Sequence, residues 1–577
     1  MKDGAIRYRR LVVLIGLIAL GGLALLAQTA GIQLVQHDYF KAIALDEHWG
    51  RKDLLAHRGA IRDRNGHPLA ATTTLYDIFV APGTIKSSDL LSKTAKTVNS
   101  LLQVPEEKFL ALHSQARTQP ALLQAGVAYD LGNKILDLGL PGIKVEKAAH
   151  RNYPEGNLAS TVLGIVGKDQ KGLMGLEAYY NSDLAGKSGT IIYERDSVGN
   201  EIPLGFRERE ASQEGADIFL TIDRFIQRLA EKELDQAMKK HQPKSATIIV
   251  MDPKTGAILA MANRPAFDLT QPNLGDTSQL DRMRNRAVSD MYEPGSTFKI
   301  ITMAAALQEG KITPQTTMFD KGYVVKYGWT ITNWDGRGNG QVTMTDVLKN
   351  SINVGVVWVS DLLGPEPFYK YVKAFGFGQP TSIDTNGEAA GQYRTPDDQD
   401  WSPVDLATNS FGQAINVSPL QMITAVSAVA NGGKLMRPYL VEKIVTPNGV
   451  RVFRPVEVRR VITPEVAKTL TGMLKKVVEE GLTKLAMVPG YDMAGKTGTA
   501  QALSATGYSN ATIASFIGFG PIEDPRFIIF IKIDEPKDDP WGSVVASPIY
   551  RSMAEQMLVY LRVPPSGALT AAPGVKN

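Results

Sequence analysis

Tyr292-Glu293-Pro294-Gly295-Ser296-Thr297-Phe298-Lys299 runs directly into the apolar stretch IITMAAALQEG, which ends at Gly310. Proline and glycine ahead of an apolar run mark a helix start. Ser296 and Lys299, at i and i+3, then share one face of its first turn. That position suits a nucleophile, because the free N–H groups and positive dipole end of a helix stabilise an oxyanion formed there. Lysine ordinarily keeps its proton near neutral pH. Burial beside a second cation lowers its pKa and lets it take the serine proton. Alone, S-x-x-K is expected about once or twice by chance in a chain this long, and a capping serine with a solvated lysine is the plain alternative.

Two further motifs change that balance. Asn350-Ser351-Ile352-Asn353-Val354-Gly355 spaces a hydroxyl and an amide so that a tight turn presents both to one site, although by itself it also reads as a polar helix start. Gly495-Lys496-Thr497-Gly498-Thr499-Ala500 suits a sheet edge, where a peptide adds as an extra strand. Under strand alternation Lys496 and Gly498 face the same way, the glycine leaving room for a ligand backbone. The stretch from Gly490 to Thr497 also fits G-x-x-x-x-G-K-T letter for letter. A phosphate loop needs a strand before it and a helix after it. Here Pro489 precedes and Gly498 and SATGYSN follow, so nucleotide binding is set aside.

The other candidates for chemistry fall away. The seven histidines are His37, His48, His57, His67, His113, His150 and His241, so the C-terminal half has no Ser-His-Asp triad and no H-E-x-x-H zinc site of its own. There are no cysteines, hence no disulfide, thiolate metal site or cysteine nucleophile. Net charge is +4, but Lys2, Arg7, Arg9 and Arg10 against Asp3 account for most of it, which gives a nucleic-acid partner little support. No metal or organic cofactor is indicated.

Leu11–Gln36 is an uncharged run, LVVLIGLIALGGLALLAQTAGIQLVQ. About 20 apolar residues span a bilayer, whereas a secretory signal core needs about 7–15. One membrane helix over residues 11–36 is expected, with a cytoplasmic tail of residues 1–10 by the positive-inside rule. Cleavage at Ala42-Ile43-Ala44 is the alternative.

At 577 residues the chain exceeds a single core and implies about two to four domains. Residues 37–215 read as a mixed α/β pedestal, with strand-like alternation at Leu75–Val80 and helix-like patterns over Leu90–Val127. Residues 216–563 read as a second domain. Its expected strands are Ile218–Ile222, Ala246–Met251, Ile258–Met261, Thr512–Phe519 and Phe527–Asp534, and its expected helices Arg224–Lys240 and Ser547–Leu561. Strands at both ends of a helix-rich middle predict an α+β fold, an antiparallel sheet flanked by helices. Residues 564–577 lack periodicity and read as disordered.

In this order S-x-x-K, S-x-N and K-T-G resemble the penicillin-recognising serine acyltransferases. The likeness extends to Arg58-Gly59-Ala60-Ile61-Arg62-Asp63-Arg64-Asn65-Gly66, Gly172–Glu177, Phe411-Gly412-Gln413, Ser418-Pro419-Leu420-Gln421 and Phe516–Pro521. Together these are similar to a class B penicillin-binding protein from the membrane helix to about Val563. YEPGSTFK, NSINVG and KTGTAQ resemble the division-specific (FtsI-type) branch more than the elongation one. The resemblance implies a penicillin-binding/β-lactamase-like transpeptidase domain and a D,D-transpeptidase that cross-links peptidoglycan stem peptides. It implies Ser296 as nucleophile, Lys299 as base and Ser351 as proton relay. Asn353 would hold the donor backbone along the substrate strand Lys496, Thr497, Gly498 and Thr499. Lys496 and Thr499 would take the terminal carboxylate, and the Ser296 and Thr499 N–H groups the oxyanion. It further implies β-lactams as inhibitors, and a SEDS-family (FtsW-type) glycosyltransferase with other divisome membrane proteins as partners at a bacterial inner membrane. A β-lactamase would need a water-activating pattern such as E-x-x-x-N, absent between Asn353 and Lys496. A β-lactam sensor or scaffold is the non-catalytic alternative.

Overall fold

The computed structural model describes residues 2–39, 41, 48–54, 56–81, 85, 87–115, 119–167, 169–196, 201–270, 272, 274–504 and 507–566. Ala42–Ala44 and most of the expected C-terminal tail, 567–577, lie outside the described residues. Ser566 is tied down, its N–H donating to Gly490 O at 2.8 Å and its Oγ accepting from Asp492 N at 3.0 Å. The chain forms two compact units, Met1–His57 with Gly186–Gly215, and Arg58–Ala185 with Ala216–Asn577.

The first unit holds the N-terminal helix Lys2–Ala30 and a three-stranded antiparallel sheet of Trp49–Leu54, Gly189–Glu194 and Arg207–Glu210. Among the described residues one helix, Arg10–Val35, is long and apolar enough to cross a membrane, and none of its apolar window is buried in the chain.

The second unit is built on a five-stranded sheet. Its strands are β1 (Ser245–Met251), β2 (Ile258–Arg264), β3 (Ala494–Ser504), β4 (Gly507–Gly520) and β5 (Phe527–Asp534), in the order β2-β1-β5-β4-β3 with every neighbour antiparallel. The central strand β5 reads FIIFIKID because both faces are covered. Phe527, Ile529, Ile531 and Ile533 pack with helices α1 (Arg224–His241) and α6 (Ser547–Tyr560). Ile528 and Phe530 face the larger core of helices α2 (Lys299–Gln308), α3 (Asn353–Leu363), α4 (Pro419–Ala430) and α5 (Pro464–Glu480). This is the α+β architecture expected from the sequence. Helix α4 is apolar all round because it is buried all round. Its entry is a capping box, Ser418 and Gln421 bonding reciprocally with Pro419 at the first helical position, which accounts physically for Ser418-Pro419-Leu420-Gln421.

A second sheet joins distant parts of the chain. Its order is Gly449–Val452, Val441–Thr446, Asp217–Leu220, Ile61–Arg62, Pro68–Val80 and Ala121–Val127, with Ile143–Asn152 also paired to Pro68–Val80. The helical pattern read over Leu90–Val127 is therefore corrected at its end. Helices Ser88–Leu102 and Glu106–Gln115 form, but Ala121–Val127 is a strand. Its Leu123 and Val127 face the core while Leu122 faces out, a two-residue alternation fixed by pairing with Pro68–Val80. Beside it, Arg58 and Arg151 converge on the fully buried Glu177 at 2.6 and 2.7 Å. Asp63, also buried, accepts the N–H groups of Asn65, His67 and Arg224.

Candidate active site

Ser296 lies in the 3-10 turn Gly295–Thr297, and the α-helix proper starts at Lys299. Gly295 stands at φ 55°, and its N–H donates to Gly412 O at 3.0 Å. A side chain at Gly412 would meet Gly295 O at 2.2 Å, which is why Phe411-Gly412-Gln413 accompanies the serine motif. The turn is thus braced from behind while Ser296 faces a cleft of about 190 Å³, lined also by Trp334, Ser351, Thr497, Thr499 and Trp541.

Lys299 is fully buried in the first turn of α2. Its Nζ donates to Ser351 O at 2.7 Å, Asn353 Oδ1 at 2.7 Å and Ser351 Oγ at 3.3 Å. Among the described residues the Ser296 side chain makes no hydrogen bond, so the free site holds the lysine against the second motif rather than against Ser296. Catalytic contacts of this kind often tighten only when substrate arrives.

Ser351 has a left-handed backbone, φ 56°, between the helices Met344–Lys349 and Asn353–Leu363. For a non-glycine residue this costs about 1–2 kcal/mol. The turn faces both the Ser351 carbonyl and the Ser351 hydroxyl toward Lys299. The Asn353 amide is fixed at its other end, donating to Thr332 O at 3.0 Å.

Lys496 lies on the edge strand β3, 1% exposed, with Nζ donating to Ser351 Oγ at 3.0 Å and Thr497 O at 3.1 Å. Ser351 Oγ thus accepts from two buried lysines, leaving its own O–H to serve the cleft. Burial and the neighbouring Lys496 hold Lys299 well below the usual lysine range. Burial lowers Lys496 to about 7. The arrangement places a buried amine held below its usual pKa, a bridging hydroxyl and a second buried lysine at the floor of one cleft.

Gly498 differs from its sequence reading. A Cβ there would meet Ser515 Oγ at 2.4 Å, Pro294 O at 2.9 Å and Thr297 Cγ2 at 3.0 Å. The space a side chain would fill is taken by β4 and by the serine turn, not left for a ligand. Thr497 and Thr499 do line the cleft. Thr499 Oγ1 also accepts from Gly542 N at 3.2 Å, which docks the short helix Gly542–Val545 and sets Trp541 at the rim. Trp541 meets Trp334 edge-on at 5.2 Å. Sequence reasoning missed both tryptophans, together with Leu482 and Ser543 of the lining. Neither lies in a chemistry-bearing motif, and only the fold brings them to the cleft.

The chain matches the Penicillin binding protein transpeptidase domain over residues 246–555 and the Penicillin-binding Protein dimerisation domain over residues 53–220. It is 37% identical over 543 residues to stage V sporulation protein D of Bacillus subtilis, covering 92% of this chain and 83% of that protein. It is 32% identical over 552 residues to the probable peptidoglycan D,D-transpeptidase PenA of Neisseria gonorrhoeae, covering 95% and 92%. Among solved structures, penicillin-binding protein 3 from Mycobacterium tuberculosis, complexed with aztreonam, aligns with a TM-score of 0.69 at 28% identity over 89% of this chain and 98% of that one. With the expected sheet, the converging motifs and these matches in hand, the chain belongs to the class B penicillin-binding proteins, the serine-type peptidoglycan D,D-transpeptidases.

Proposed function

We propose that Ser296 is the acylated nucleophile of this enzyme and Lys299 its base. The observation that carries the reading is the pair of buried lysines meeting at Ser351 Oγ beneath the cleft that Ser296 lines. Neutral Lys299 takes the Ser296 proton as Oγ bonds to the penultimate D-Ala carbonyl carbon of a donor stem. Ser351 passes a proton to the terminal D-Ala nitrogen as the C–N bond breaks. The Ser296 and Thr499 N–H groups hold the oxyanion. Asn353 and the strand Lys496, Thr497, Gly498 and Thr499 hold the donor, with Lys496 and Thr499 at its carboxylate. The amine of a second stem then displaces Ser296. A β-lactam acylates the same oxygen and stays, because its leaving group is tethered.

Residues 216–563 carry this chemistry in our reading, and residues 37–215 serve as pedestal. The apolar helix Arg10–Val35 supports a single-pass anchor, with the preceding arginines on the cytoplasmic side. The three motifs support a septal role rather than elongation, beside a SEDS-family (FtsW-type) glycosyltransferase and other divisome membrane proteins. A fluorescent fusion confined to division sites is the expected result, and uniform lateral labelling would favour elongation.

The chemistry is tested by labelling the full chain in detergent with a fluorescent penicillin beside Ser296→Ala. One stable adduct, lost in the variant, is expected. Rapid turnover would favour a hydrolase. A folded wild type that takes no label would leave a scaffold.

A further inference from the structure

Between α2 and the Ser351 turn the chain forms two small antiparallel pairs, Thr317–Asp320 with Gly340–Thr343 and Tyr323–Lys326 with Trp329–Thr332. They leave large aromatic side chains in solvent. Phe319 is 63% exposed and Tyr323 55%. Single exposed apolar residues are ordinary, but a contiguous set marks a binding surface. Phe319, Tyr323 and Val325 line a groove of about 320 Å³ whose opposite wall is α3, through Val354 and Trp358. Lys321 and Asp361 edge the groove, and Asp361 is already paired with Lys326. Among the described residues the Tyr323 hydroxyl and the Trp358 indole N–H make no hydrogen bond. The groove therefore offers aromatic faces, unused neutral donors and little net charge.

It is also tied to the catalytic cluster. Asn353, which accepts from Lys299 at 2.7 Å, donates to Thr332 O at 3.0 Å, and Thr332 pairs across the strands with Tyr323. With paired Cα atoms about 5 Å apart, these steps place Tyr323 within about 16 Å of the Lys299 amine. A stem peptide of about five residues spans at most about 18 Å when extended. The sugar bearing a stem whose far end is at Ser296 must lie within that reach.

We propose that this groove binds the glycan strand of the substrate, stacking neutral sugar rings on Phe319 and Tyr323 with the Trp358 and Tyr323 donors meeting hydroxyl and N-acetyl oxygens. The proposal rests on the transpeptidase reading of the cleft. It deepens that reading by giving the enzyme a hold on the polymer apart from the peptide.

The chain has no cysteine, so Val325→Cys takes a single environment-sensitive dye. The full chain in detergent is titrated with glycan strands stripped of their stems by an amidase. A saturable dye shift is expected, and it persists after the cleft is blocked by penicillin. Adding Phe319→Ala/Tyr323→Ala weakens binding at least tenfold and leaves penicillin acylation within twofold. If that variant fails to fold, Phe319→Leu/Tyr323→Leu, which keeps the bulk and removes the aromatic faces, takes its place with the same expectation. No shift with intact penicillin labelling, equal binding by the variant, or a shift with membrane partner proteins and none with glycan would each overturn the proposal. Loss of penicillin labelling in the parent would instead count against the cleft reading.

Discussion

Replacing Gly498 by alanine tests how the sheet edge and the serine turn are spaced. The added methyl would lie 2.4 Å from Ser515 Oγ, 2.9 Å from Pro294 O and 3.0 Å from Thr297 Cγ2. The last two belong to the turn that carries Ser296, and Thr297 Oγ1 already donates to Pro294 O at 2.8 Å, so neither can swing away alone. Restoring a carbon–oxygen distance of about 3.4 Å requires the turn to retreat from β3 by about half an ångström. The Ser296 and Thr499 N–H groups lie on opposite sides of that gap, and productive sites tolerate only about 0.5 Å of error. Misplacement by 1 Å costs about 100-fold, so acylation is expected to slow by about 10- to 100-fold. Overpacking should also remove about 1–3 kcal/mol of stability.

The assay is the second-order rate of labelling by a fluorescent penicillin, beside a thermal melt. Gly472→Ala, on α5 with nothing within 4 Å of the new methyl, is the control and should gain about 0.5–1 kcal/mol at an unchanged rate. Adding Ser515→Ala to Gly498→Ala removes the nearest obstacle but not Pro294 O, so stability should return further than rate. Gly498→Ala labelling within twofold of the parent, with an unchanged melting temperature, would refute the reasoning.

Four more outcomes are expected. Burial lowers Lys496 from 10.5 to about 7, so its cation, which we propose holds the ligand carboxylate, is lost as pH rises through that value and acylation of the free enzyme should fall. Across the window from about 7 to 10.5 the unfolded chain holds a proton there that the folded chain lacks. Stability conferred at this site therefore rises with pH, and melting curves should show that rise flattened in Lys496→Met. Ser351→Gly and Ser351→Ala both lose the bridging hydroxyl, but glycine relieves the left-handed backbone and should melt as the more stable variant by about 1 kcal/mol. Glu177→Ala leaves Arg58 and Arg151 buried without their shared carboxylate and should cost about 3–5 kcal/mol, with the labelling rate per folded molecule unchanged.

What could be read from the sequence follows the range of the forces involved. Strand β5 and helix α1 were legible because their burial is continuous or periodic along the chain. The strand at Ala121–Val127 was not, because its partner Pro68–Val80 decides its state and its apolar letters also fit a helix. The three motifs named the residues that meet, since a buried amine, a hydroxyl and a sheet-edge cation are distinctive in kind. Their actual bonds were hidden. The i, i+3 spacing pairs Lys299 with Ser296, whereas in the folded chain Lys299 is bonded to Ser351 and Asn353. Trp334 and Trp541 carry no pattern at all, and they reach the cleft through contacts distant in sequence, the Trp334 indole donating to Asn350 O and Gly542 N to Thr499 Oγ1.

With no histidine in the C-terminal half of the chain, the base we propose is a lysine. An ordinary lysine is a poor base at neutral pH, and either desolvation or a like charge nearby lowers its pKa; Lys299 has both, and Lys496 has burial. Each is hard to hold, because two buried ammonium groups repel and repay little of their lost hydration. Ser351 makes the pairing tolerable by giving both lysines one oxygen and by turning its own carbonyl to Lys299, at the cost of a strained backbone. The strained turn at Ser351 and the burial of Lys496 in an edge strand therefore act on the same pair of amines. Opening either lysine to water should raise its pKa toward the ordinary range.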